Sequence, residues 1–459
     1  MTGAGQSPGL GQVTLVCLVV ANMIGAGIFT TTGYSLAGLQ SPAWVMLAWC
    51  IGGVIAIAGA ISYGALVMTF RESGGEYLFL ARRFHPLAGF LAGWVSMLAG
   101  FTGAIAFAAL AFESYIAANM TQVPSGSLAV AAILFSAATH AIRRKPGTLS
   151  MNILVFGKLT LLLILILCGY VAWTGNHDVT PVLTPETPSI AAPSVSAPSV
   201  TEPTIAAPTI AALATTVMWI SLSFSGFNAA VYVAEESSVR SVKRAMMAGC
   251  TLVVLLYLAA NALFLFAVPG DTIRGHEDVA ARTAAHLGGA TWEWCVRITI
   301  SIALLTSVSS MMLAGPRVYH KMAVDGLLPR WFAFGSEVPT GAILFQAAFA
   351  IVIVYLADLK ALLDQLSFML SLCSAFAVTG ILIPGKQLEQ GRITVTAKLA
   401  GATYVAATFV IAGLSASHQP RALIIASIAL AVGLLFFVMM IKTNPASSHT
   451  APHGDEQRR

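Results

Sequence analysis

Apolar residues gather into twelve long segments along the 459-residue chain, separated by short polar connections. They fall at about 11–37, 43–70, 87–118, 126–141, 149–174, 210–236, 245–268, 292–320, 338–357, 361–384, 397–417 and 421–442. Leu87–Phe112, Leu159–Asn176 and Thr340–Leu356 contain no charged residue. A helix rises about 1.5 Å per residue, so about 20 residues cross the hydrocarbon core. Every backbone polar group in lipid needs an internal partner, and the period-2 alternation of a barrel is absent. The pattern therefore predicts an all-α polytopic membrane protein with twelve transmembrane helices and the lipid bilayer as its solvent.

Composition agrees, with 57% hydrophobic and only 9% charged residues. A soluble domain carries roughly 25% charged residues, which excludes water-soluble folding. The net charge of +5 is no sign of a nucleic-acid partner, because it is distributed by topology. With the N-terminus in the cytoplasm, eighteen of the 24 lysines and arginines fall in inside loops and four outside. The inside groups are Arg71, Arg82 and Arg83; Arg143, Arg144 and Lys145; Arg240, Lys243 and Arg244; Arg317, Lys321 and Arg330; Lys386, Arg392 and Lys398; and Lys442, Arg458 and Arg459. Lys158 and Arg297 lie within spans. Adding or losing one span would scramble this alternation, so both termini are expected in the cytoplasm. No cleavable leader is expected, since no basic stretch and cleavage site open the chain. The six cysteines show no paired spacing, so neither a metal site nor a disulfide framework is expected, and no cofactor motif is present.

The outside loop at 178–209 carries prolines every five residues, at Pro188, Pro193, Pro198, Pro203 and Pro208. Such a segment favours an extended spacer. It divides residues 1–174, with spans one to five, from residues 210–384, with spans six to ten. Spans eleven and twelve occupy 385–442, and a polar, disordered tail is expected over 443–459.

The candidate chemistry lies at mid-membrane depth. The first segment contains Ile24-Gly25-Ala26-Gly27-Ile28, where two glycines weaken the helix; close helix packing is the other use of such glycines. The sixth holds a counterpart, Ser223-Phe224-Ser225-Gly226-Phe227-Asn228. Paired interruptions in corresponding spans point to a binding site built from broken helices. Freed N–H groups and the positive end of a half-helix favour a carboxylate, while unpaired carbonyls accept from an ammonium. The substrate that suits this chemistry is a zwitterion.

Gly25-Ala26-Gly27-Ile28-Phe29 is followed by Gly74-Gly75-Glu76-Tyr77, then Pro86, Gly89, Phe90, Gly93 and Trp94. Ala234-Glu235-Glu236 ends span six, and span eight closes with Ser309-Ser310, Gly315-Pro316-Arg317 and Asp325-Gly326-Leu327-Leu328-Pro329. In this order the motifs closely resemble the amino acid–polyamine–organocation superfamily of permeases, to the end of span ten. The resemblance implies a five-plus-five inverted repeat with two added helices. It implies that Ile24, Gly25, Ala26, Gly27 and Ile28 meet an amino acid carboxylate, and that Phe224, Ser225 and Gly226 receive the amino group through carbonyls. Relatives often place an aromatic cap where this chain has Leu222; Phe224 or Phe227 could substitute. Asn228 stands where some cation-carrying relatives have a carboxylate, which favours neutral or small apolar side chains.

Lys158 sits in span five. A cation at this depth is costly and marks function, unless it snorkels to the interface. In several sodium-independent relatives a lysine here reaches between spans one and eight, where sodium sits in sodium-coupled cousins. That resemblance implies sodium-independent amino acid transport, by exchange or by proton coupling. Ser307, Ser309 and Ser310 would either coordinate a cation or bond between helices. Glu76 is expected to pair with basic groups of an inner gate or to be solvated, and Glu113 to be interfacial or to attract substrate. The competing functions are a sodium symporter, a permease for another small amine or organocation, and, from a different class, a channel or sensor. Clustered catalytic groups are absent, so no enzyme is expected.

Overall fold

The computed structural model describes residues 11–70, 74–117, 123–142, 148–175, 207–333, 339–384 and 393–443. The proline-rich segment up to residue 206 and the tail after residue 443 lie outside them. Among the described residues there is no strand. Among these residues nine helices are long and apolar enough to cross a membrane, and three shorter apolar helices, Ser127–Ala141, Ile210–Ser223 and Thr340–Leu356, bring the number to twelve.

Local rules set the helix starts. Pro42, Pro86 and Pro420 open spans two, three and twelve, where a missing N–H costs nothing. Thr209, Ser238, Asp358 and Thr394 cap spans six, seven, ten and eleven by accepting from Ala212, Ser241, Ala361 and Ala397 N–H groups. Glu113 near the C-terminal end of span three accepts from the N–H groups of Gly126 (2.6 Å) and Ala129 (2.9 Å). It anchors the start of span four, Ser127–Ile142.

Burial sorts the helices. In the most apolar stretches of spans one to three 61% of residues are buried, against 22% in span five and 17% in span twelve. Exposed Leu163, Leu167 and Val171 on span five, and Ile424, Ile428 and Leu435 on span twelve, therefore make the lipid-facing rim. Trp94 donates to the Ala429 carbonyl (2.9 Å) and stacks on Phe436, so it fastens span three to span twelve.

Two departures from the hydropathy pattern concern outer and middle segments. The helix bearing span eight runs over Val279–Val324, thirteen residues earlier than the apolar segment, with a break at Gly289 (φ 72°). Its first turns are too polar for hydropathy to detect, but Asp278 and buried Val279, Ala280 and Ala281 seat them against the bundle. Span three is widened to a π-helix over Ser96–Gly103, an irregularity often found at functional sites.

The connection between spans seven and eight lies across the second half of span one, Gly27–Leu39. Gly275 N–H donates to the Gly33 carbonyl (2.8 Å), and a Cβ on Gly33 would overlap the His276 carbonyl. Tyr34 OH donates to Glu277 (2.6 Å). Burial lifts the Glu277 carboxyl above the usual range, Asp278 and Asp358 push the same way, and the Tyr34 bond and His276 oppose. A carboxyl raised in the folded state penalises folding when charged, so stability rises as pH falls through that raised value. Glu277→Gln keeps an acceptor for Tyr34 without the charge. We expect it to melt higher than wild type at neutral pH and to lose the gain between neutral pH and the ordinary carboxylate range. Melting curves in detergent against pH measure both.

Candidate functional site

Both interrupted spans are broken where the glycines fall. Span one is helical over Gln12–Met23 and again over Gly27–Leu39, with extended backbone at Ile24 (φ −76°, ψ 91°). Span six is helical over Ile210–Ser223, turns through Phe224–Asn228, and resumes as a 3₁₀-helix over Ala229–Glu236. The breaks touch. Gly226 has φ +104°, and a Cβ there would lie 2.6 Å from the Asn22 carbonyl oxygen. A Cβ on Gly27 would lie 2.7 Å from Ser223 Cα, and Thr31 and Ser223 hydroxyls bond at 3.1 Å. Glycine on each side lets the two backbones meet without side chains between them.

The breaks leave backbone groups free. Ile24 N–H returns to Val20 and Phe29 N–H to Ala26 (both 3.0 Å). The N–H groups of Ala26, Gly27 and Ile28 have no backbone acceptor among the described residues, and no side chain caps this helix start. They form an anion-favouring terminus. Ser225 N–H returns to Leu222 (2.9 Å) and Ala229 N–H to Gly226 (3.0 Å), leaving the Phe224 and Ser225 carbonyls without a backbone donor there. At Gly25 an added Cβ would meet no heavy atom within 4 Å among the described residues, so there is open space at the break itself.

The other carbonyls of the first break are held. Tyr257 OH of span seven donates to Met23 O (2.7 Å). Lys158 Nζ donates to the Ile24 carbonyl and to Ser307 Oγ (3.0 Å), joining span five to spans one and eight. Among the described residues no carboxylate pairs with Lys158. It borders a mostly apolar cavity of about 170 Å³ with Ile24, Phe29, Leu165 and Thr306.

The remaining candidates disperse. Ser309 bonds His140 of span four (2.7 Å), and exposed Ser310 donates to the Thr306 carbonyl (2.8 Å), so neither meets Lys158. The Phe224 ring is buried edge-on to Trp49 and against Tyr257 (centroids 5.7 and 5.2 Å). Phe227 packs on Tyr63 and Tyr404. Leu222, Phe224, Ser225 and Phe227 line a small cleft of about 30 Å³ beside spans two, ten and eleven.

Asn228 faces a cluster around Glu76. Its amide donates to buried Glu76 (2.5 Å), which also accepts from Tyr63 (2.8 Å) and Tyr232 (2.9 Å). Three neutral donors from spans two and six thus satisfy this carboxylate, whose residue opens the helix Gly75–Arg83 between spans two and three. Sequence reading also missed Tyr257, Asn261 and Thr32. Asn261 donates to Tyr257 O (2.8 Å) and accepts from Thr32 Oγ1, bracing the break from span seven. Two hydrogen-bonding residues four apart in an apolar helix were the available signal.

Twelve helices around two apposed half-helix termini define a polytopic membrane permease. The amino acid permease family profile matches residues 10–452, and the chain belongs to that family. It is 24% identical over 390 residues to the Asc-type amino acid transporter 1 of Mus musculus, covering 82% of this chain and 70% of the relative. It is 25% identical over 385 residues to the large neutral amino acids transporter small subunit 2 of Rattus norvegicus (82% and 69%). With the b(0,+)-type amino acid transporter 1 of Mus musculus it shares 22% over 393 residues (82% and 75%).

Proposed function

We propose that this permease carries neutral or small apolar amino acids across the plasma membrane, the inner membrane if the cell is bacterial, by alternating access without sodium. Both termini are cytoplasmic in this reading, which the alternation of basic loops supports. The observation that carries it is the meeting of the two breaks. Free N–H groups at Ala26, Gly27 and Ile28 suit a carboxylate, and free carbonyls at Phe224 and Ser225 suit an ammonium. Ile24, Ile28, Leu222, Phe224 and Phe227 supply no counter-charge for a charged side chain. The relatives, one of them a large neutral amino acids transporter, point the same way. The arrangement of spans one to five against six to ten as an inverted repeat belongs to the same reading.

Lys158 is the coupling residue in this proposal. Its ammonium bridges Ile24 and Ser307 where a sodium ion would otherwise join spans one and eight. Because Ile24 belongs to the substrate break, a change in the charge of Lys158 alters the site directly. Exchange and proton symport both fit this geometry.

Uptake of a labelled amino acid panel into proteoliposomes tests the reading, with and without internal substrate, a sodium gradient and an inward proton gradient. Neutral amino acids are expected to enter without sodium. Lys158→Ala is expected to cut uptake by on the order of tenfold, an effect worth about 1.4 kcal/mol, and to flatten its pH dependence. Wild-type uptake and pH response in that variant would remove Lys158 from coupling. Stimulation by sodium but not potassium would replace the mechanism with sodium symport.

A further inference from the structure

Spans two and seven frame an open groove of about 920 Å³ that the transport reading does not use. Arg240, Lys243 and Arg244 line one end, and Met68, Met247, Leu252 and Leu255 are among the apolar side chains lining the rest. Arg240, Arg244, Met247, Thr251 and Leu255 recur at steps of four, three, four and four, so they share one helix face. The face is cationic in the first turns of span seven, Val239–Phe266, and apolar thereafter. Arg244 and Leu255 are about 16 Å apart along the axis at 1.5 Å per residue.

No carboxylate pairs with Arg240, Lys243 or Arg244 among the described residues, and both arginines are exposed. A Cβ on Gly64 would lie 3.0 Å from Lys243 Cγ, so the lysine stem lies flat against span two. Met68, Leu252 and Leu255 are 43%, 40% and 61% exposed, so no helix among the described residues covers the apolar stripe. We propose that the groove binds one phospholipid with an anionic headgroup. Its phosphate meets the three cations and an acyl chain runs along Met247, Leu252 and Leu255. Charge complementarity selects the headgroup, and the change from cationic to apolar along one helix face selects a lipid over a soluble anion. Two residues separate span seven from the 3₁₀-helix that places Tyr232 on Glu76, so the site adjoins the second half of span six.

The test uses the full chain in neutral detergent, titrated with phosphatidylglycerol, phosphatidylcholine or inorganic phosphate and read by native mass spectrometry. Wild type should take up one phosphatidylglycerol in preference to phosphatidylcholine. Arg240→Gln with Arg244→Gln should weaken that binding by on the order of tenfold. Both side chains are exposed, so the double variant should keep its melting temperature without lipid. Arg317→Gln with Arg330→Gln removes the same charge from exposed positions outside the groove and should bind like wild type. Equal losses in the two double variants would reduce the effect to general surface charge and overturn the site. Unchanged binding in the first would do the same, as would phosphate competing as well as the lipid.

Discussion

Alanine at Gly226 is expected to abolish measurable uptake, whereas alanine at Gly25 should leave the fold intact and weaken substrate binding alone. The two glycines belong to the same apposed breaks but meet different surroundings. Gly226 has φ +104°, where an L side chain is strained by about 1–3 kcal/mol. Its Cβ would also press on the Asn22 carbonyl at 2.6 Å, a backbone atom that no rotamer change can move away. Span six must then withdraw from span one, carrying the Phe224 and Ser225 carbonyls out of register with the Ala26, Gly27 and Ile28 N–H groups. A displacement near 1 Å in such a site costs on the order of a hundredfold in rate. Gly25 instead faces open space. Its methyl group would occupy the volume proposed for the carboxylate, so the half-saturating concentration should rise with little change in melting temperature. Initial-rate uptake over a substrate range, beside melting of each purified variant, separates the outcomes. Gly25→Ala transporting normally would move the carboxylate away from this break.

How far these relations could be read beforehand depended on the range of the physics involved. The twelve spans follow from segment length and apolar content, which one residue stretch contains by itself. The two breaks were also legible, since Gly25, Gly27 and Gly226 interrupt apolar runs. Side-chain direction was not. Asn228 looks like a substrate residue from its place in the break, yet its amide reaches Glu76, 152 positions away in the chain. Ser307 and Ser309 are two residues apart on one helix, so they point about 200° apart around it. One meets Lys158 and the other His140. Lys158 stood out because a cation in an apolar run has few acceptable surroundings, although its bond to the Ile24 carbonyl needed the fold. Arg297 also lies in a span, and Glu293 one turn before it is a local partner, but Asp278 and the Tyr115 carbonyl come from the start of the helix and a neighbouring helix that no local pattern relates.

Arg297 should prove the costliest side chain in the outer half to remove. It is 3% exposed, and its guanidinium donates to Asp278 (2.6 Å), Glu293 (2.8 Å) and the Tyr115 carbonyl (3.2 Å). Arg282 takes the second Asp278 oxygen at 2.6 Å. One planar fork thus joins span three, the start of the span-eight helix and the loop that lies on span one. Burial would raise the Asp278 carboxyl, but the two arginines outweigh it and hold the group below its usual range. A carboxyl lowered in the folded state stabilises the fold above its ordinary range, and that contribution disappears as pH falls through the lowered value. Arg297→Ala leaves Asp278 buried and half-paired, a change that typically costs about 3–5 kcal/mol. Arg297→Lys keeps the charge but cannot serve three acceptors in different directions, so it should restore only part of the loss. In Arg297→Ala the burial of Asp278 is opposed by Arg282 alone, so acid unfolding should begin at higher pH than in wild type. Denaturant unfolding in detergent at neutral and acidic pH measures both quantities. A loss below about 1 kcal/mol, the range of an exposed pair, would mean that solvent reaches Asp278 once the guanidinium is gone. In that case the outer loop is held on span one by the Gly33–Gly275 backbone bond and the Tyr34–Glu277 contact rather than by charge.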